Sequence, residues 1–309
     1  MTTLDSPAQT TPPVAPKVSS GRRQRRLNRT KNNYRTQRLA TGQRTLLYAI
    51  AIAAVGAYVF PLLFLLNTAL KTSEEFVADP IGPTQSFAIG NFVEAWEAGN
   101  FGAYFFNSLL YTLVAGVIST VAALLLAFPV ARGYLAGSKA FWPAFFVVSL
   151  FLPNALTAQF QLMLELDLYG SRLGYILLQG ASLGIGPLLI MGYLRSLPRE
   201  LDEAAAIDGC GYFRYLLTFI VPLARPVIIT VFVLQCIGTW NDIILATIYL
   251  ADPAKYPVTV GLFAFKGQYS NDWALLAAAV LLVAIPLILL YAFVQKYIIA
   301  GVTDGALKS

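Results

Sequence analysis

Two stretches of this chain carry side chains that could do chemistry, and neither has the spacing of a catalytic centre. The first is 198–222, PRELDEAAAIDGCGYFRYLLTFIVP, with Arg199, Glu200, Asp202, Glu203 and Asp208 close together. The second is Trp240-Asn241-Asp242, set in a long apolar run. The chain has no histidine, which removes imidazole bases, proton relays and the commonest metal ligand. Its two cysteines, Cys210 and Cys236, form no CxxC pair, so neither a zinc site nor a disulfide framework is implied. No G-x-x-x-x-G-K-[ST] string occurs, so the chain has no phosphate-cradling loop of its own. No paired carboxylates or nucleophile–base arrangement argue for an enzyme. The expected catalytic and metal-ligating sets are empty, and no cofactor is expected on this chain. What remains is charge, hydrogen bonding and shape.

Local sequence predicts how the first stretch is held. Pro198 suits a first helical position, where its missing N–H would be unpaired anyway. Glu200, Asp202 and Glu203 fall in the first turns, where the helix dipole favours negative charge. Leu201, Ala204, Ala205 and Ile207 give a small apolar stripe. Asp208-Gly209 then stops the helix, because a left-handed residue costs most side chains about 1–2 kcal/mol and glycine little. A second short helix, 212–219, leads to Pro222. The unit reads as a helix-turn-helix on a membrane face, with an alanine surface that admits a close partner.

The rest of the chain supplies that membrane. Hydrophobic residues make up 57% and charged ones 12%, against about 25% charge in a soluble domain. Six apolar runs predict an all-α polytopic membrane protein, with spans at 46–70, 105–131, 140–164, 173–194, 222–250 and 274–299. The first is too long and too far along for a cleaved signal peptide. With the N-terminus inside, cytoplasmic segments hold eighteen basic residues and outer loops four, Lys71, Arg172, Lys255 and Lys266. That bias puts both termini and the 196–222 loop in the cytoplasm. Residues 1–44 carry ten of the basic residues against Asp5 alone and read as a disordered basic tail, with 45–309 as the membrane domain. A basic tail beside a span binds anionic lipid; nucleic acid is the other partner such a tail could take, and it is not expected here.

Polar groups inside the spans are candidates for a solute path. A carboxylate at the centre of a lone span costs about 2.5–3.5 kcal/mol and less toward the interface, so Asp242 should face protein or water. Two readings stand: Asn241 and Asp242 line a polar path with Trp240 offering a flat ring to a sugar, or Asp242 pins neighbouring helices. Asn154, Gln159 and Gln161 on the third span are further path candidates, or interhelical hydrogen bonds. Asn107 and Ser108 read as a helix start, and Asn91 as the cap of a short interfacial helix with Phe92 and Trp96. Gly180 and Gly184 read as a close-packing GxxxG. Prolines in or at the ends of all the spans suit bent helices.

The 198–222 stretch resembles the cytoplasmic coupling loop of ABC importer permeases, the EAA motif. That pattern is Glu-Ala-Ala, three residues, Gly, nine residues, Ile, one residue, Leu-Pro. Glu203-Ala204-Ala205, Gly209 and Pro222 match it in spacing, with Phe219 and Val221 at the Ile and Leu places. IVPLARPV (220–227), GTWNDI (238–243), YPVTVGL (256–262) and QKYIIAGVTDGALK (295–308) extend the likeness to the MalG-type subunit of carbohydrate importers. It covers about 45–309 and departs at 168–172. The resemblance implies a MetI-like six-helix fold in a bacterial inner membrane and import of a sugar or oligosaccharide. It implies a complex with a second homologous permease, an ATPase dimer holding ATP and Mg, and an extracytoplasmic solute-binding protein. The helix at 199–208 would dock on an ATPase, with Arg199, Glu203, Ala204, Ala205, Asp208, Gly209 and Pro222 as the coupling set. A permease for a non-sugar solute would share this loop. An ion-coupled transporter would need midplane carboxylates and usually an internal repeat, and neither is visible.

Overall fold

The computed structural model describes residues 41–152, 155–265 and 272–306. Asn154 and residues 1–40, including most of the expected basic tail, lie outside them. Among the described residues there is no strand. The helices are α1 Thr41–Ala69, α2 Ser73–Ala78, α3 Gly90–Ala98, α4 Phe101–Arg132, α5 Phe141–Phe151, α6 Leu156–Glu165 and α7 Arg172–Ala181. They continue with α8 Gly186–Ser196, α9 Glu200–Ile207, α10 Tyr212–Leu223, α11 Arg225–Trp240, α12 Ile244–Tyr249, α13 Val258–Gly261 and α14 Trp273–Ala306. Three of them, in α1, α4 and α14, are long and apolar enough to cross a bilayer alone, and three bent pairs bring the total to six.

The bent pairs are where sequence expectation and structure differ. The third predicted span is two helices, α5 and α6, meeting at 96°, and the fourth is α7 and α8 at 45°. Between the latter, Gly184 takes a φ of +49, so it serves the turn. Gly180 alone makes the close approach: a Cβ there would sit 2.8 Å from the Ile118 side chain of α4. The fifth span ends at Trp240 rather than 250. Asp242 accepts the N–H groups of Leu245 and Ala246 at 3.2 and 3.0 Å and starts α12 instead. At its other end α11 turns by 81° from α10, with Pro226 in its first turn, where no N–H is missed. Asn91 sits inside α3 rather than capping it, and its amide donates to the carbonyls of Ala69 and Lys71.

Helix α4 is the hub. At 32 residues and 1.5 Å per residue it is about 48 Å long, and α7, α8 and α11 pack along it. Small residues make that possible: Ala115, Gly116, Ser119, Thr120, Ala123 and Ala127 are buried on its contact face. A Cβ on Gly116 would meet Cys236 Sγ at 2.9 Å and Phe232 at 3.0 Å. In lipid, close van der Waals packing of this kind does the work that water exclusion does in soluble proteins. Asn107 and Ser108 lie two turns into α4 instead of opening it. Asn107 donates to the Ala254 and Tyr256 carbonyls, Ser108 Oγ accepts from Val258 N–H, and Tyr111 donates to Lys255 O. Those bonds bind the 254–258 segment to one end of the bundle. Gly133, at φ +79, closes the other end of α4 by donating to Pro129 and Val130 carbonyls.

Candidate functional site

At that closed end lies the α9–α10 unit. Helix α9 begins at Glu200, with Arg199 at its cap and Pro198 before the helix. Its first turn carries Glu200, Asp202 and Glu203. Gly209 takes a φ of +66, and Cys210 N–H returns to the Ala205 carbonyl at 2.9 Å, which reverses the chain. Segment α10 follows, with a π turn over Leu216–Ile220. Pro222 sits exposed in its last turn. The expected apolar stripe is not an inward one. Ala205 alone of the four packs in the core, while Ile207 is 86% exposed. The outward surface carries Arg199, Glu203, Ala204 and Asp208 beside Leu201, Ile207, Phe213 and Leu217. This is a mixed acidic and apolar face on a short stiff element.

A buried charge fastens the unit to the bundle. Arg132, the last residue of α4, has a side chain only 2% exposed, and its Nε lies 3.1 Å from Asp202 Oδ1 of α9. The approach is off the N–H direction, an ion contact rather than a hydrogen bond. Nη1 donates to the carbonyls of Leu194 and Leu197 at the end of α8. Tyr215 of α10 donates its hydroxyl to the same Asp202 oxygen at 2.5 Å. Phe128 contacts Tyr134, Tyr212 and Tyr215 at centroid distances of 5.8, 5.2 and 6.1 Å. Tyr193 donates to Leu223 O at 2.9 Å. Helices α4, α8, α9 and α10 are thereby one mechanical piece at this end.

The second polar cluster gathers toward the other end. Asp242 accepts from Tyr175 OH at 2.7 Å, Tyr175 accepts from Gln179 Nε2, and Gln235 donates to the Gln179 carbonyl. Thr259 donates to the Asp242 carbonyl. Trp240 offers no free ring here: it is 3% exposed, donates to Val283 O and packs edge-on against Phe105. Asn241 is exposed and donates to Ile237 O. Gln159 is half-buried on α6, apart from this cluster's hydrogen bonds. Tyr175 and Gln179 escaped the sequence reading, although their spacing of four on a helix puts two polar groups on one face. Arg132, Asp202 and Tyr215 escaped it as a set, since Arg132 counted as one of the inside charges, Asp202 served the helix dipole, and Tyr215 drew no notice.

The sequence pattern of one family, described as binding-protein-dependent transport system inner membrane component, matches residues 117–304. The chain belongs to this family. It is a multi-pass protein of the inner membrane, a transport subunit rather than an enzyme. Among relatives is the melibiose/raffinose/stachyose import permease protein MelC of Bacillus subtilis, 30% identical over 267 residues, 85% of this chain and 95% of that protein. The maltodextrin transport system permease protein MalD of Streptococcus pneumoniae is 28% identical over 282 residues, 90% of this chain and 99% of that protein. The sulfoquinovosyl glycerol transport system permease protein SmoH of Agrobacterium fabrum is 29% identical over 256 residues, 81% and 88% respectively. A solved bacterial ABC transporter that imports the acidic polysaccharide alginate contains a chain of the same fold. Its TM-score is 0.71 at 19% identity, covering 85% of this chain and 99% of that one.

Proposed function

We propose that this chain is the permease subunit of an ABC importer that moves a sugar or oligosaccharide into the cytoplasm, with α9 as its coupling helix. The observation that carries this reading is the α9–α10 unit, exposed on one face and tied to α4 and α8 through Arg132–Asp202–Tyr215. A partner that grips the outward face moves the spans with it. The partners are a second homologous permease, an ATPase dimer that holds ATP and Mg, and an extracytoplasmic solute-binding protein. Glu203, with Arg199 and Asp208 beside it, meets basic and polar groups of the ATPase; Leu201, Ile207 and Phe213 fill its cleft. Closure of the ATPase dimer drives α9, and the linked helices exchange inward for outward access. The sugar assignment draws on the relatives that carry sugars. In the path itself Asn241 and Gln159 offer polar side chains, while Asp242 and Trp240 hold its wall in shape. Both termini and the α9 loop face the cytoplasm, the basic charges that precede α1 meet anionic lipid, and the transport domain follows from there.

Pull-down of the ATPase and solute uptake by Glu203→Lys and Gly209→Val variants test this reading. Each variant is expected to lose both, the second because a β-branched residue at Gly209's positive φ costs about 1–2 kcal/mol. Unchanged assembly and uptake in both refute the docking role. Orientation is read separately from Cys210, which is partly exposed while Cys236 is buried. A membrane-impermeant maleimide is expected to label Cys210 only from the cytoplasmic side.

A further inference from the structure

A cavity of about 500 Å³ opens beside α9, between the end of α4, the 133–140 turn and the end of α8. Its wall includes Arg132, Lys139, Arg195 and Arg199. Among the described residues only Arg132 of the four has a carboxylate within ion-pair distance, Asp202, and the lining that holds these four cations includes no acid. Arg195 spends its Nη2 on Ser138 O at 2.8 Å. Arg132 Nη2 is buried and has no hydrogen-bond partner among the described residues. Positive charge concentrated in a concavity with low-dielectric walls attracts anions. Guanidinium forks and a lysine together fit the oxygens of a phosphate group.

We propose that this cavity binds a phosphate group, that of an anionic phospholipid headgroup in the cytoplasmic leaflet. The cavity is much wider than a free phosphate ion needs. Beside it, at the start of α5, Phe141 and Phe145 are 62% and 51% exposed and stacked with centroids 6.4 Å apart. An acyl chain running from a headgroup in the cavity lies along those rings, whereas a free phosphate has no use for them. Basic pockets between spans at the cytoplasmic side are the expected receptor for such headgroups. Bound there, the lipid bridges α4 and α8, the helices that hold α9. The site rests on the reading that this end faces the cytoplasm.

The test is native mass spectrometry of the full-length chain in its assembled transporter, with phosphatidylglycerol, phosphatidylcholine of equal chain length, and inorganic phosphate as probes. The wild type is expected to retain phosphatidylglycerol over phosphatidylcholine. Lys139→Gln with Arg195→Gln should weaken phosphatidylglycerol binding about 30-fold, two basic residues at about 1 kcal/mol each. The charge-keeping pair Lys139→Arg with Arg195→Lys should restore it, which separates loss of charge from loss of fold. Equal retention of both lipids, or indifference to the glutamine pair, overturns the proposal. Binding of inorganic phosphate with the same residue dependence and no lipid preference assigns the cavity to a soluble anion and overturns it too. Cys210 labelling reports orientation independently, so a loop on the wrong side and a cavity indifferent to lipid give different results.

Discussion

Asp202→Asn isolates the charge that fastens α9. The change keeps the side-chain shape and an oxygen for Tyr215, and removes only the counter-charge of Arg132. A direct Coulomb estimate at 3.1 Å and an effective dielectric near 20 is about 5 kcal/mol, an upper limit before desolvation. Measured losses on breaking one side of a buried pair run about 3–5 kcal/mol. Two features pull the value to the low end of that range: Asp202 is 20% exposed, so water reaches it, and Arg132 keeps the Leu194 and Leu197 carbonyls. The expected cost is about 3 kcal/mol, felt as local opening of α9 rather than loss of the whole fold. Amide hydrogen exchange across 200–210 should therefore accelerate by about 150-fold at that energy. Asp202→Ala also strands the Tyr215 hydroxyl and should add about 1 kcal/mol. Replacing both partners, Arg132→Met with Asp202→Met, should be milder than either single change because no charge is left buried alone. Exchange in 200–210 that stays at the wild-type rate in Asp202→Asn, or a double variant worse than both singles, refutes the reasoning.

Gly116→Leu should break the contact of α4 with α11, since even a Cβ meets Cys236 Sγ at 2.9 Å. A loss of about 1–3 kcal/mol in thermal stability in detergent is expected, and an unshifted melting curve would contradict the close approach. Asp242→Asn, which can still cap α12, should keep uptake. Asp242→Ala should lower stability by about 1–2 kcal/mol and reduce uptake, and equal uptake in the two would deny the capping role. The 71–89 segment should loosen in acid. Glu75 is held below its ordinary 4.5 by the Ser86 hydroxyl and the Gln85 amide, and Asp79 below 3.8 by the Gly82 and Ile81 amides. Depressed carboxylates contribute stability above the unfolded value and lose it as pH falls through the folded one. Limited proteolysis within 71–89 should thus rise below about pH 4, and a flat profile down to pH 3 would contradict it.

How much was legible in the sequence depended on the range over which each interaction acts. Helix α9 and its reversal could be read because dipole-favoured acids and a glycine at positive φ are local. Long apolar runs were equally plain, and the family they belong to follows from the 198–222 spacing. The breaks within spans were only hinted at, since prolines occur in or beside every predicted span and do not say which of them is cut or where. At the end of α11 a single carboxylate, Asp242, diverts the chain by capping a new helix, and no window average records that. The Arg132–Asp202 pair was hidden for a different reason. Its members lie 70 positions apart in the chain, and each was already explained, Arg132 as an inside charge and Asp202 as a helix-dipole acid. Trp240 misled through its chemistry: an amphipathic ring beside two polar residues reads as a sugar platform, but its indole is spent on a neighbouring helix.

The unbroken length of α4 has a consequence of its own. Three other predicted spans are jointed, yet α4 is one continuous helix from the bonds it makes with Ala254, Lys255 and Tyr256 to the guanidinium clamped on Asp202. From Asn107 to Arg132 is about 38 Å along the axis. Pro129 loosens only the last turn of α4, next to Arg132, so a tilt passed beyond that turn reaches the 254–258 segment through unbroken helix. One piece of secondary structure thus joins the 254–258 segment to the α9 clamp.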